Sequence, residues 1–334
     1  MATKEKFPTD PVDNNGNPYV GVNGTPADTN VITWSAANSR AQWGTASGGG
    51  GGTISGTDPS TCQGRLTLES GVPVSTSDQT GKTTIYWTPY KGNTIALYSG
   101  SAWSGLQVAE TSLALGTLTS GKNYDVFGYS NSGTFTLELS AAWTSDTARN
   151  DALALQDGVR VKSADHTRRY LGTFRTTSTT TTESSLAKRF LWNEYNQVPL
   201  PMKNVDETTD SWNYTTATYR QANANSANQL DYVTGDASTL VEAEVYALVA
   251  NTTAASVNAG VGVDSTSTNS AQRRGSNTPA VTNAVAYTGA LYKGYPGLGR
   301  HFLAWLEYST ATGTTTWFGD AAGFQCGISG RIMG

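Results

Sequence analysis

Two histidines and two cysteines are the chain's entire supply of the side chains most used in nucleophilic, redox and metal chemistry. His166 stands in Ser163-Ala-Asp-His-Thr-Arg-Arg169, where Asp165 could orient it as a base. No Gly-x-Ser-x-Gly elbow supplies a strained serine for it to activate, so a solvated loop histidine is expected. His301 opens an apolar stretch and is expected to be a hydrogen-bonded packing residue. Cys62 and Cys326 have neither Cys-x-x-Cys spacing nor a neighbouring histidine. Free thiols are therefore expected, not a disulfide framework or a four-ligand zinc site. No Asp-x-Asp-x-Asp cluster offers a carboxylate metal site. The expectation is a chain with no metal, no cofactor and no catalytic residue. One reaction, glycoside hydrolysis, needs only two carboxylates about 5–9.5 Å apart, a distance that sequence does not report. Glu242 and Glu244 project from one strand face and read instead as an edge or subunit-contact feature.

Charge and rings point elsewhere. The basic pairs Arg168-Arg169, Lys188-Arg189 and Arg273-Arg274 are isolated, and the net charge is −4, so nucleic acid is not an expected partner. Aromatic residues make up 10% of the chain, with nine Trp and sixteen Tyr. Such rings anchor interfaces and stack on sugars because they offer area with few rotors. Tyr287, Tyr292 and Tyr295 share the Gly-rich stretch Tyr287-Thr-Gly-Ala-Leu-Tyr-Lys-Gly-Tyr-Pro-Gly-Leu-Gly299 and are candidate contacts for a carbohydrate or receptor. Burial or a subunit contact is the plainer alternative. Tyr19, Trp34 and Trp43 are candidate anchors for an amino-terminal arm.

The elements that must position these residues are strands. At 334 residues, the chain has room for two domains, or one and an arm. Only 37% is hydrophobic, yet the large rings are enough to build a core. Residues 1–60 are expected to be an extended arm and hinge: Asn15-Gly16 and Asn23-Gly24 mark turns, and Gly48 to Gly52 form a flexible joint. Residues 61–202 show alternation with a period of two. Thr134-Phe-Thr-Leu-Glu-Leu139 places Phe135, Leu137 and Leu139 on one face, and Ser130–Gly133 predicts a hairpin turn back to Asn123–Tyr129. Pro89–Asn93 predicts another turn, and Gly158–Val161 pairs with Arg169–Arg175. Ser184–Tyr195 suits a helix and a strand equally. Residues 203–334 predict a second sandwich. Val241, Ala243, Val245, Ala247 and Val249 fall on one face. His301–Tyr308 is apolar on both faces, as in a strand covered on both sides, and is expected to form a hairpin with Thr314–Gly319. The fold expected is all-β: two antiparallel β-sandwich domains, jelly-roll-like, behind an extended arm. Met1–Asp10 has no apolar stretch and no run approaches ~18 apolar residues, so cytoplasmic synthesis without membrane insertion is expected.

Four stretches carry a resemblance: Thr83-Thr-Ile-Tyr-Trp-Thr-Pro-Tyr-Lys-Gly-Asn-Thr-Ile-Ala-Leu-Tyr98, Leu118-Thr-Ser-Gly-Lys-Asn-Tyr-Asp-Val-Phe127, Leu155-Gln-Asp-Gly-Val-Arg-Val-Lys-Ser163 and Arg168-Arg-Tyr-Leu-Gly-Thr-Phe-Arg175. Over residues 62–202 the chain resembles structural proteins of tailed bacteriophages, of the tail-fibre, spike or head-decoration kind. The resemblance implies a virion component, commonly an oligomer, and carries over no functional residue. Other virion proteins and further copies of the chain are the expected partners, with a homotrimer expected by type, since rod-like appendages bury shared apolar strands along an axis. The expected role is an external appendage in host attachment. A capsid decoration protein is the alternative, and a polysaccharide depolymerase a minor one, since the ~20–30-residue repeats of depolymerase β-helices are missing.

Overall fold

The chain is all-β. The computed structural model describes residues 30–35, 40–45, 57–205, 207–279, 281–320 and 323–334. Within residues 1–55 the strands Asn30–Ser35 and Arg40–Thr45 pair antiparallel, with Ile32 opposite Trp43 and Trp34 opposite Ala41. The arm expected there as extended thus contains a hairpin, which its Pro, Asn and Gly content conceals. Tyr19 and the five glycines lie outside the described residues.

The remainder, Gly56–Gly334, is one compact unit built as two sandwiches. In the first, a six-stranded sheet runs in the order Thr134–Leu139, Asn123–Asn131, Asp165–Arg175, Val159–Lys162, Leu153–Gln156, with Leu191–Asn193 also on Asp165–Arg175. Alternation explains its buried face: Phe135, Leu137, Val126 and Phe174 turn inward together against Ile85, Trp87 and Ile95 of two smaller sheets. Ser132 and Gly133 both take positive φ, the two-residue turn that matches the right-handed twist of its strands.

The second sandwich faces a seven-stranded sheet against an eight-stranded one. Val241, Ala243, Val245, Ala247 and Val249 are all buried against Val257, Val261, Leu303 and Trp305. Gly299–Ser309 is buried on both faces from Leu303 to Glu307 and lies between Ser256–Val263 and Gln229–Thr234. It does not form the hairpin expected with Thr314–Gly319. Thr315–Phe318 pairs with Val241–Asn251 and Ser211–Asn213 in the opposite sheet, so the intervening loop crosses between layers. Pro89–Asn93 likewise joins strands of different sheets.

Ser184–Tyr195 is extended, not helical: Lys188–Arg189 pairs in parallel with Gln229–Thr234, and Leu191–Asn193 pairs with Asp165–Arg175. Strands from both sides of residue 202 therefore share the eight-stranded sheet. The strand at that position, Pro199–Asn204, pairs with Gly327–Met333. A polar network crosses the same junction. Buried Asp125 receives Arg149 Nε at 2.9 Å and Thr173 Oγ1 at 2.6 Å, while Arg149 Nη2 donates to the Gly235 carbonyl at 2.8 Å.

Candidate binding face

The outward face of the seven-stranded sheet is the surface most suited to recognition, and alternation builds it. With the valines of Val241–Asn251 turned inward, Glu242, Glu244 and Tyr246 must face out. On the neighbouring Ala286–Gly294 the outward residues are Tyr287, Gly289, Leu291 and Lys293. The register sets these in rows: Lys293, Glu242 and Arg331; then Arg273, Leu291, Glu244, Ser329 and Lys203; then Gly289, Tyr246 and Gly327. Val241–Asn251 is hydrogen-bonded on both sides, so Glu242 and Glu244 sit on a central strand, and of the two readings, edge or subunit contact, the edge is ruled out.

Two clefts of about 530 and 350 Å³ lie side by side on this face and share Glu244 and Leu291. Lys293 Nζ and Arg331 Nε approach Glu242 at 2.8 and 2.5 Å. Those hydrogen bonds hold its carboxyl below the usual range. Lys203 and Arg273 have no carboxylate partner among the described residues, while Arg274, opposite the inward Ala290, lies over the Tyr219 ring away from this face. Tyr246 and Tyr287 are each 48% exposed, with ring centres 4.9 Å apart. A Cβ on residue 289 would overlap the Tyr287 hydroxyl, so glycine there lets that ring lie down along the strand.

The three tyrosines expected to act together are separated. Tyr287 is on the outer face. Tyr292, at an even offset from the inward Ala290, is 8% exposed and belongs to the core. Tyr295 is 64% exposed and borders a different cleft of about 350 Å³ with Arg160, Trp192, Glu194, Asp236 and Met333. There Arg160 pairs with both Glu194, at 2.9 Å, and Asp236. Burial raises the Glu194 carboxyl against the pull of Arg160. Burial opposes ionisation of Asp236 too, but hydrogen bonds from Ser238 and Arg160 prevail and hold it at about 2. Trp34 and Trp43 lie on the amino-terminal hairpin, and their side chains are outside the described residues.

The histidines take bonded positions. His166 Nδ1 is 2.9 Å from Gln156 Oε1, and His301 Nδ1 is 2.7 Å from Asp264 Oδ2. Cys62 and Cys326 are free thiols. Among the described residues no cluster of His, Cys, Asp and Glu could hold a metal ion, and no helix is long and apolar enough to cross a membrane. Tyr246 was absent from the residues expected to bind, although the same alternation that buries Val245 dictates its exposure.

No protein-family model matches the chain, and no curated protein does. Among solved structures there is a faint likeness to a Bacillus thuringiensis Cry1Da tryptic core variant. Identity is 9% and the TM-score 0.16, over 77% of this chain and 50% of that one. The chain thus spans about half the length of that structure. A likeness this low says nothing of function.

Proposed function

We propose that the chain is a structural component of a tailed-bacteriophage virion, an external appendage that contributes to host attachment. The observation that carries this reading is the outer face of the seven-stranded sheet. A sandwich needs one face of each sheet for its core and can leave the other polar. Here that other face presents adjoining clefts, half-exposed tyrosines and uncommitted cations, which is the make-up of a contact surface. The resemblance over residues 62–202 supplies the virion context. Antibody labelling of purified particles should place the chain outside the head, and particles lacking it should stay intact yet fail to adsorb. Heads that leak or burst without the protein would favour the decoration role instead.

Glycan hydrolysis has one observation in its favour, the opposed shifts of Glu194 and Asp236 beside one cleft. Arg160 pairs with both carboxylates, which suits a structural bridge better than a proton shuttle. Unchanged reducing-end counts on host surface polysaccharide would dispose of this second reading.

A further inference from the structure

We propose that the cleft beside Tyr287 binds an acidic surface polysaccharide, with Arg273 on a sugar carboxylate and the Tyr287 ring against the adjoining sugar. The proposal rests on the attachment reading and names its ligand class.

Charge is the first support. The outward rows carry Lys203, Lys293, Arg331 and Arg273 against Glu242 and Glu244, four cations to two carboxylates, on a chain whose net charge is −4. The positive face is therefore local. Lys293 and Arg331 are spent on Glu242, whereas Arg273 is exposed and has no carboxylate partner among the described residues; Arg274, opposite the inward Ala290, turns away to the Tyr219 ring. A guanidinium offers a planar fork that fits a carboxylate in two parallel hydrogen bonds.

Ring geometry is the second. Tyr287 lies along its strand over Gly289 and borders the cleft of about 350 Å³ with Arg273. The ring is half-exposed, and exposed ring surface of this kind is what the C–H face of a sugar packs against. Burial, and after it the nearby Glu244, raise the Tyr287 phenol, which keeps the platform uncharged.

Glu244 decides between anions. It stands in the row that begins at Arg273, with only Leu291 between them. Its charge disfavours a dianionic phosphate more than a monoanionic carboxylate, and its oxygens can accept hydrogen bonds from sugar hydroxyls.

The test is calorimetric titration of the full chain with oligogalacturonate, using maltohexaose as the neutral control. Oligogalacturonate should bind and maltohexaose should bind far more weakly. Arg273→Gln and Tyr287→Ala should each lose about tenfold or more in affinity, the scale of a charge-assisted bond or a buried ring contact. Tyr287→Phe should retain binding. Equal affinity for the two probes, or no binding by the folded wild-type chain, overturns the proposal. So does an Arg273→Gln variant that binds as before, or one that instead dissociates an oligomer in sedimentation, since the face would then be covered by a second copy. Particle labelling separates the two readings: a chain on the particle that ignores oligogalacturonate sinks only this one, and a chain missing from particles sinks the attachment reading.

Discussion

The hydroxyl of Tyr287 occupies the space that a side chain on residue 289 would need. The two residues are neighbours on one outward strand face, so the glycine decides how the ring lies. Gly289→Ala should lift the ring and weaken oligogalacturonate binding by about tenfold while leaving the melting temperature within a few degrees, because the displaced group is the free end of a surface side chain. Titration beside a thermal melt checks both halves of this expectation.

Arg169 ties the segment entering the first sandwich to its sheet. Its buried guanidinium donates through Nη1 to the carbonyls of Pro59, Thr61 and Ala96 at 2.8, 3.0 and 2.7 Å, and through Nη2 to Ser60 at 3.2 Å. Lysine has no planar fork with which to serve four carbonyls. Arg169→Lys should cost about 1–3 kcal/mol, the cost of leaving a buried acceptor unpaired, since of the four bonds the one to Ala96 is buried. Urea unfolding would report it as a lower midpoint at unchanged slope.

Arg149→Met tests the junction of the sandwiches. The substitution keeps much of the volume but strands Asp125, whose carboxyl burial already raises and which Arg149 and Thr173 stabilise as the anion. Removing one partner of a buried pair costs about 3–5 kcal/mol. Replacing both, as Arg149→Met with Asp125→Leu, should recover part of the loss, and a double-mutant cycle of unfolding energies would measure how much.

Glu307 predicts a pH dependence. It is fully buried and accepts hydrogen bonds from Trp212 Nε1 at 2.6 Å and Arg220 Nε at 2.7 Å, yet burial outweighs them and pushes its carboxyl from 4.5 up to about 7. A raised carboxyl means that the folded state holds the proton more tightly than the unfolded one. Its contribution to stability is therefore full below pH 4.5 and lost as pH rises to about 7. Asp236 and Glu207, each held at about 2, act oppositely: their contribution is present above their ordinary values and lost as pH falls toward 2. Glu307→Gln should flatten the decline in melting temperature between pH 5 and pH 7, about the span of the shift, and leave the acid limb in place. An unchanged decline would mean that another group titrates there.

Strands were legible in the sequence, and their partners were not. Alternation in Val241–Asn251 and the two-faced apolarity of Gly299–Ser309 follow from side-chain periodicity, which is local. Whether Ser309–Gly313 closes a hairpin or crosses between layers depends on which strands compete for the same edge, and Ser256–Val263 had already taken it. The same gap explains Ser184–Tyr195, whose extended form is settled by Gln229–Thr234 and Asp165–Arg175. For the binding face, Tyr287 was found through its composition and Tyr246 could have been found through its period. Arg273 looked like an isolated charge because the row that joins it to Glu244 exists only once three strands are in register.

The eight-stranded sheet that draws strands from both sides of residue 202 has a mechanical consequence. A tug on the outer face reaches the first sandwich through backbone hydrogen bonds and the Arg149 clamp rather than through a pliant tether. The two halves should move as one lever. Whatever is felt at Tyr287 would then be passed on as torque, with little lost to bending.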